Sequence, residues 1–229
     1  MKKFNLNIIS ILIPTLIALN TISCSTRQKT YMQGMRLAIK GHPDVTLSIP
    51  AVKDTKTDVI YVIKGKLPRA TMALAVIENE QHKWVSADHG MFAIKAGRII
   101  KTLGFKSNLI TTTNLEQDPL NQGKHVSIGS QWQRQVDYDS PPKFNININS
   151  TIISKTKENI SILGHHFNTK VITEKVTYPG KLSNHHWTNK FWYEMTSGKL
   201  IKSEQKMAPH TDLISISYIS DVVRLIEKY

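Results

Sequence analysis

One cysteine, Cys24, is all that the 229-residue chain contains. An intrachain disulfide is therefore excluded, and so is a zinc–thiolate cluster; an exported form must be held together by its core alone. Long apolar runs are missing as well. The stretch from Ile8 to Leu19 carries Pro14 and ends at Asn20, too short for the roughly 20 apolar residues of a membrane-spanning helix. Acidic residues are scarce, 17 against 30 Lys and Arg, but the basic excess is not concentrated. Residues 24–120 hold 14 basic and 8 acidic side chains, and residues 121–229 hold 14 and 9. Without a basic arm or tail, no nucleic-acid partner is expected. The chain also lacks a fixed-period repeat, a low-complexity tract and a Gly-x-Ser-x-Gly nucleophile elbow. No catalytic residue is assigned, and the expectation is a protein that is not an enzyme.

What is present begins at the N-terminus. Lys2 and Lys3, the short apolar stretch and Thr21-Ile22-Ser23-Cys24 read as a bacterial lipoprotein signal, with residues 1–23 removed. A diacylglycerol thioether on Cys24 and an acyl chain on its freed amine would then anchor the protein. Thr21 stands where such signals usually have leucine. Ser25 rather than aspartate follows the cysteine, which favours the outer membrane, facing the periplasm. Residues 24–42 read as a lipid-proximal linker with a short helix over 28–40, since Tyr31, Met35, Ala38 and Ile39 fall at helical spacing before Gly41-His42-Pro43. Arg27, Lys29, Arg36 and Lys40 follow the lipid. Each contributes at most about 1 kcal/mol near an anionic surface, whereas acyl chains contribute about 0.8 kcal/mol per buried methylene. The lipid decides location and the charges orient the domain.

From Asp58 onward the texture is β. Val59 to Lys64, Ala70 to Ile77, Lys83 to Ser86, Met91 to Lys95 and Arg98 to Leu103 are short runs rich in Val, Ile, Thr and aromatics. Ala96-Gly97 suits a tight hairpin. Asp118-Pro119-Leu120 and Gly123 mark a loop, taken as the boundary between a first β lobe at 43–120 and a second at 121–229. In the second, strands are expected over Gln131 to Tyr138, Phe144 to Ser154, Thr169 to Tyr178, Trp187 to Met195, Leu200 to Met207 and Leu213 to Tyr218. Phe144, Ile146 and Ile148 alternate with asparagines, as in a sheet with one buried and one wet face. Asp221 to Lys228 closes as a short amphipathic helix. The fold class is mainly β: antiparallel sheets curled into two open barrel-like lobes, with short helices near each terminus.

Few side chains suggest chemistry. The nine histidines include the pairs His165-His166 and His185-His186, but neighbours on a strand point to opposite faces and cannot share one ion. No metal or other cofactor is expected. Asp137 and Asp139 share a strand face, a carboxylate pair in principle, yet Ser140-Pro141-Pro142 follows, so they read as the end of a strand. Trp187, Phe191 and Tyr193 fall on one strand face, as core packing requires. Trp192 falls on the other with Lys190 and Glu194, as core or as a platform for sugar rings.

Taken together, Trp84-Val85-Ser86-Ala87-Asp88, Gly97-Arg98-Ile99-Ile100-Lys101-Thr102-Leu103-Gly104 leading to Asn108-Leu109, and Asp118-Pro119-Leu120 resemble the YjbF/GfcB family of group 4 capsule lipoproteins. Phe191-Trp192-Tyr193 and Ser197-Gly198-Lys199-Leu200 through Gln205 resemble the same family's aromatic strand, turn and Ser-x-Gln strand. The resemblance implies a mainly β outer-membrane lipoprotein for making or exporting an extracellular polysaccharide, with no known catalysis and no active-site residues to carry over. Among these motif residues Gly97 and Gly198 read as turn glycines and Trp84 as core, and Arg98 alone has a polar character that simple packing does not require. Arg98, Lys101, Lys190 and Trp192 form the candidate surface for a glycan or a protein partner.

The expectation is therefore a non-catalytic outer-membrane lipoprotein that assists capsule or exopolysaccharide assembly or export. Its partners are a membrane, through the lipid anchor, and an acidic polysaccharide or other export proteins. The rival is a periplasmic lipid or lipoprotein carrier with a half-open β-barrel, which needs an interior apolar cavity. A glycan hydrolase comes third and needs two carboxylates in a cleft.

Overall fold

The computed structural model describes residues 44–180 and 184–228. Cys24, the signal segment 1–23 and the linker 24–42 with its expected helix lie outside them. Twelve strands form one antiparallel sheet: β1 (Val59–Lys64), β2 (Ala70–Glu78), β3 (Gln81–Val85), β4 (Met91–Lys95), β5 (Arg98–Leu103), β6 (Leu109–Thr112), β7 (Gln131–Asp139), β8 (Pro142–Ile162), β9 (His165–Tyr178), β10 (His185–Glu194), β11 (Leu200–Gln205) and β12 (Ile214–Ser217). Two short helices flank them, α1 (Ile49–Lys53) and α2 (Ile219–Lys228), and two 3-10 turns at Leu115–Gln117 and Pro119–His125 lie between β6 and β7.

Order around the sheet is β5-β4-β3-β2-β1-β12-β11-β10-β9-β8-β7-β6. The first and last strands in that order are consecutive in sequence. They meet through side chains, the Leu109 N–H donating to Thr102 Oγ1 at 3.0 Å and Thr112 Oγ1 donating to the Ile100 carbonyl at 2.8 Å. The result is a nearly closed barrel whose two edges are covered rather than left open to another chain. The strands of the first expected stretch, β1 to β6, and those of the second, β7 to β12, form two arcs of it. They join at β1 and β12, where Tyr61 faces Ser217 and Val62 faces Ile216, and again where β6 pairs with β7.

Alternation explains the core. Ile60 and Val62 of β1 pack inward with Met72, Trp84, Phe92, Ile94, Ile214 and Ile216. On the other parity, Val59 and Tyr61 pack with Val52 of α1, Val222, Val223 and Leu225 of α2, and Ile162 and Phe167 of the β8–β9 hairpin. The apolar positions of α2 recur at helical spacing, which leaves Asp221 and Arg224 together on its other side. Ser220 accepts from the Val59 N–H at 2.9 Å and ties the helix to β1. Fully buried Ile60, Ile172, Phe191 and Ile216 each contribute roughly 1.5–3 kcal/mol by leaving water.

Three differences from the sequence reading have physical causes. β6 was not expected; it is four residues long and earns its ladder only beside β7. β8 and β9 run past the expected 144–154 and 169–178 to a two-residue turn at Leu163-Gly164, with φ of +52° and +78°. That extension was masked by its polar content, Thr156 to Asn159 being exposed. Phe144 is 65% exposed although its neighbours Ile146 and Ile148 turn inward. A register shift between Val136 and Tyr138, with Asn145 at φ +53°, rotates it out.

Candidate functional site

The barrel interior carries a buried ionic cluster. Arg98, on the first residue of β5, pairs with Asp118 through both Nε and Nη2 and with Glu174 of β9 through Nη1 at 3.0 Å and Nη2 at 2.8 Å. Asn189 of β10 donates to Glu174 at 2.9 Å. Asp118 also accepts from the Leu120 N–H at 3.0 Å, capping the 3-10 turn that delivers it. Burial opposes the Arg98 charge, but Asp118 and Glu174 outweigh it and hold the guanidinium protonated. Burial likewise works against Glu174, and the Arg98 charge beside it holds its carboxyl below the usual range. Arg134 donates to Ser150 at 2.6 Å, and burial, then the nearby Arg98, push it down to about 10. The Trp132 ring has the Arg98 and Arg134 guanidinium carbons 4.5 and 4.2 Å from its centre.

Gln205 completes this interior. Its Oε1 accepts from the Ile99 N–H at 3.1 Å and its Nε2 donates to the Gly97 carbonyl at 2.7 Å, clamping the β4–β5 turn to β11 across the barrel. The turn needs Gly97 there: φ is +84°, and a Cβ would sit 2.2 Å from Leu200 Cδ2. The cavity among Arg98, Arg134, Tyr138, Ile148 and Met207 has a volume of only about 20 Å³, room for one water.

A second region lies at one end of the barrel. There the ends of β3, β4 and β5 meet those of β10, β11 and β12 and the first turns of α2 around a cleft of about 460 Å³. Trp84, Tyr193 and Tyr218 line it, each more than nine-tenths buried. The Trp84 and Tyr218 rings meet edge to face at 6.5 Å. The indole N–H of Trp84 and the hydroxyl of Tyr193 have no hydrogen-bond partner; the Tyr218 hydroxyl neighbours Ser203 but makes no bond of normal geometry. Burial pushes both phenols up, so each hydroxyl stays neutral, able to donate and accept. At the rim, Arg224 donates to both Asp58 oxygens at 2.7 and 3.0 Å and to Asp221 at 3.0 Å, and Lys199 reaches Asp221 at 2.9 Å. The Arg224 bond holds the Asp58 carboxyl below its usual range.

The four residues expected on a binding surface are not brought together. Arg98 is 3% exposed and wholly engaged with Asp118 and Glu174. It is an interior staple, and the packing account does require its charge, because the two carboxylates beside it are buried too. Trp192 is also 3% exposed; its Nε1 donates to Glu158 at 3.0 Å and Lys202 covers its ring at 4.5 Å. Lys101 and Lys190 are exposed, on β5 and β10, strands far apart in the sheet order. Asp137 and Asp139 each bind backbone, Asp137 accepting from the Asn145 N–H at 2.8 Å and Asp139 from the Asn108 N–H at 2.7 Å. His166 and His186 lie against Asn159 and Thr177. The cleft residues were read as core (Trp84, Tyr193) or passed over (Tyr218, Arg224, Asp58). The one signal for them was Asp221 and Arg224 at i,i+3 opposite the apolar stripe of α2.

Residues 32–219 match the family model described as group 4 capsule polysaccharide lipoprotein gfcB, YjbF. The chain belongs to the YjbF family. It is 26% identical over 209 residues to the uncharacterised lipoprotein GfcB of Escherichia coli (strain K12), covering 91% of this chain and 97% of that one. It is 24% identical over 191 residues to the uncharacterised lipoprotein YjbF of the same strain, covering 83% and 88%. Its fold is similar to the crystal structure of the hypothetical lipoprotein YmcC from Escherichia coli (K12), with a TM-score of 0.68, 25% identity and coverage of 80% and 92%. The segments that carry the YjbF resemblance all reach the cleft: Trp84, Gly97, Leu120, Tyr193, Lys199 and Leu200 line it. Among the described residues no helix is long and apolar enough to cross a membrane.

Proposed function

We propose that this YjbF-family lipoprotein is a non-catalytic accessory of capsule or exopolysaccharide assembly or export, anchored through Cys24 to the outer membrane and facing the periplasm. In this reading it holds a glycan or a partner of the export assembly. The observation that carries the reading is the family match across almost the whole described barrel. Two further features support it. Asp137 and Asp139, the carboxylate pair that suggested glycan hydrolysis, are both engaged by backbone N–H groups. The carrier alternative needs an enclosed apolar interior of roughly 300–1,000 Å³; the barrel interior around Arg98 and Arg134 offers about 20 Å³, and volumes of that size, about 820 Å³ beside α1 and the β8–β9 turn and about 460 Å³ at the barrel mouth, are clefts open to solvent.

The test is secreted and capsular polysaccharide from a strain lacking the gene, complemented with the intact gene or with Cys24→Ala. Loss of polysaccharide that only the lipidated form restores is the expected result. Unchanged polysaccharide with altered outer-membrane lipid or lipoprotein would overturn the reading in favour of a carrier.

A further inference from the structure

Buried polar atoms in folded proteins are paired almost without exception, so those left alone call for an explanation. Four such side-chain atoms occur among the described residues, on Trp84, Trp187, Tyr193 and Tyr218, and all but that of Trp187 belong to residues lining the cleft at the end of the barrel. Elsewhere among the described residues, Trp187 apart, buried polar side chains are met, as Arg98 is by Asp118 and Glu174 and Gln205 is by Gly97 and Ile99. Residues lining the cleft thus hold one indole N–H donor and two neutral hydroxyls without a partner, each atom closed to solvent in the free protein, beside a volume typical of small-molecule sites.

The charges at the rim narrow the ligand. Asp58 and Asp221 are matched by Arg224 and Lys199, two acids against two bases, each already in an ion pair. An anionic group entering the cleft would meet two carboxylates and no uncommitted cation among these four. A hydroxyl group meets no such penalty, because it donates to the spare lone pairs of a carboxylate and accepts from a guanidinium, an indole or a phenol. We infer that the cleft bounded by Trp84, Tyr193, Tyr218 and the Asp58–Arg224–Asp221–Lys199 chain is a binding site for uncharged sugar units. This rests on the reading of the protein as a polysaccharide accessory, and it replaces the acidic glycan of the sequence reading with a neutral one at this site. Sites built to hydrogen-bond hydroxyls also discriminate strongly against analogues lacking them, so the cleft selects among sugars by hydroxyl pattern rather than by charge.

The experiment uses the full lipidated chain in detergent and two probes: an array of neutral and uronic-acid oligosaccharides, and fragments of the cell's own polysaccharide separated by charge. Neutral oligosaccharides are expected to bind. Tyr193→Phe and Tyr218→Phe are each expected to weaken that binding about fivefold to tenfold, without lowering the melting temperature, because each removes a hydroxyl that has no bond of normal geometry in the free protein. Lys157→Gln, an exposed position on β8, is expected to change nothing. Three results overturn the assignment: preference for the uronic-acid probes, neutral binding indifferent to both tyrosine substitutions, or no binding of either probe. If the gene deletion abolishes polysaccharide while no probe binds, the accessory reading survives and the cleft assignment alone fails.

Discussion

The barrel interior and the barrel mouth are both lined with polar side chains on buried strands, and they differ in whether those side chains are satisfied. Inside, Arg98, Asp118, Glu174 and Asn189 form a connected set and Gln205 clamps the Gly97–Ile99 backbone beside it, each with named partners at hydrogen-bond distance. At the mouth, Trp84 and Tyr193 offer a donor and a hydroxyl to nothing, and Tyr218 is poorly met. A satisfied network fixes one arrangement of strands, and removing any member exposes the rest. An unsatisfied one adds nothing to the free protein and leaves capacity for something else. The same chemistry thus serves architecture in one place and recognition in the other.

Breaking the interior side of this comparison gives the largest effect. Arg98→Met leaves Asp118 and Glu174 buried with no cation between them, and the expected loss is about 3–5 kcal/mol of unfolding free energy, read by denaturant titration. An Arg98→Met protein as stable as the parent would mean that the cluster is hydrated and does not hold the barrel.

The interior against the barrel surface can be compared by pH. Glu174 and Asp139 are both held below their usual range in the folded state, the first with the Arg98 charge overcoming burial, the second by hydrogen bonds from Asn108. A carboxyl lowered on folding adds stability that is complete above its unfolded value, about pH 4, and is lost as the pH falls through the folded value. Melting temperature is therefore expected to drop on acidification below about pH 4, with a shallower slope in Asp139→Asn. An identical slope in parent and variant would remove Asp139 from the account.

Much of this fold was legible in the chain. β1, β4 and β5 have the boundaries that their β-branched runs suggested, and the apolar spacing of α2 marked its buried stripe. β6 was not legible, because four residues carry too little pattern and their pairing with β7 is set across the intervening loop. For the site, local pattern was a poor guide in a consistent way. Arg98 was read as surface because simple packing did not require its charge, and only the fold brings Asp118, 20 residues later, and Glu174, 76 residues later, to its side. Trp192 was half-read: its placement on the face opposite Phe191 was available from alternation, but the Lys202 and Glu158 side chains that cover it come from other strands. Tyr193 and Trp84 were correctly read as buried, yet no sequence pattern tells a buried hydroxyl with a partner from one without.

The most direct test sets the two regions side by side in one measurement, the denaturant unfolding free energy of Tyr193→Phe/Tyr218→Phe and of Gln205→Leu. Gln205→Leu removes the partner of the Ile99 N–H and the Gly97 carbonyl, and a loss of about 2–3 kcal/mol is predicted. The double tyrosine variant removes two hydroxyls without a bond of normal geometry and is predicted to stay within about 0.5 kcal/mol of the parent, or to exceed it. If the tyrosine variant loses as much as Gln205→Leu, its hydroxyls are bonded in the free protein, the mouth is core like the interior, and the distinction between the two regions is contradicted.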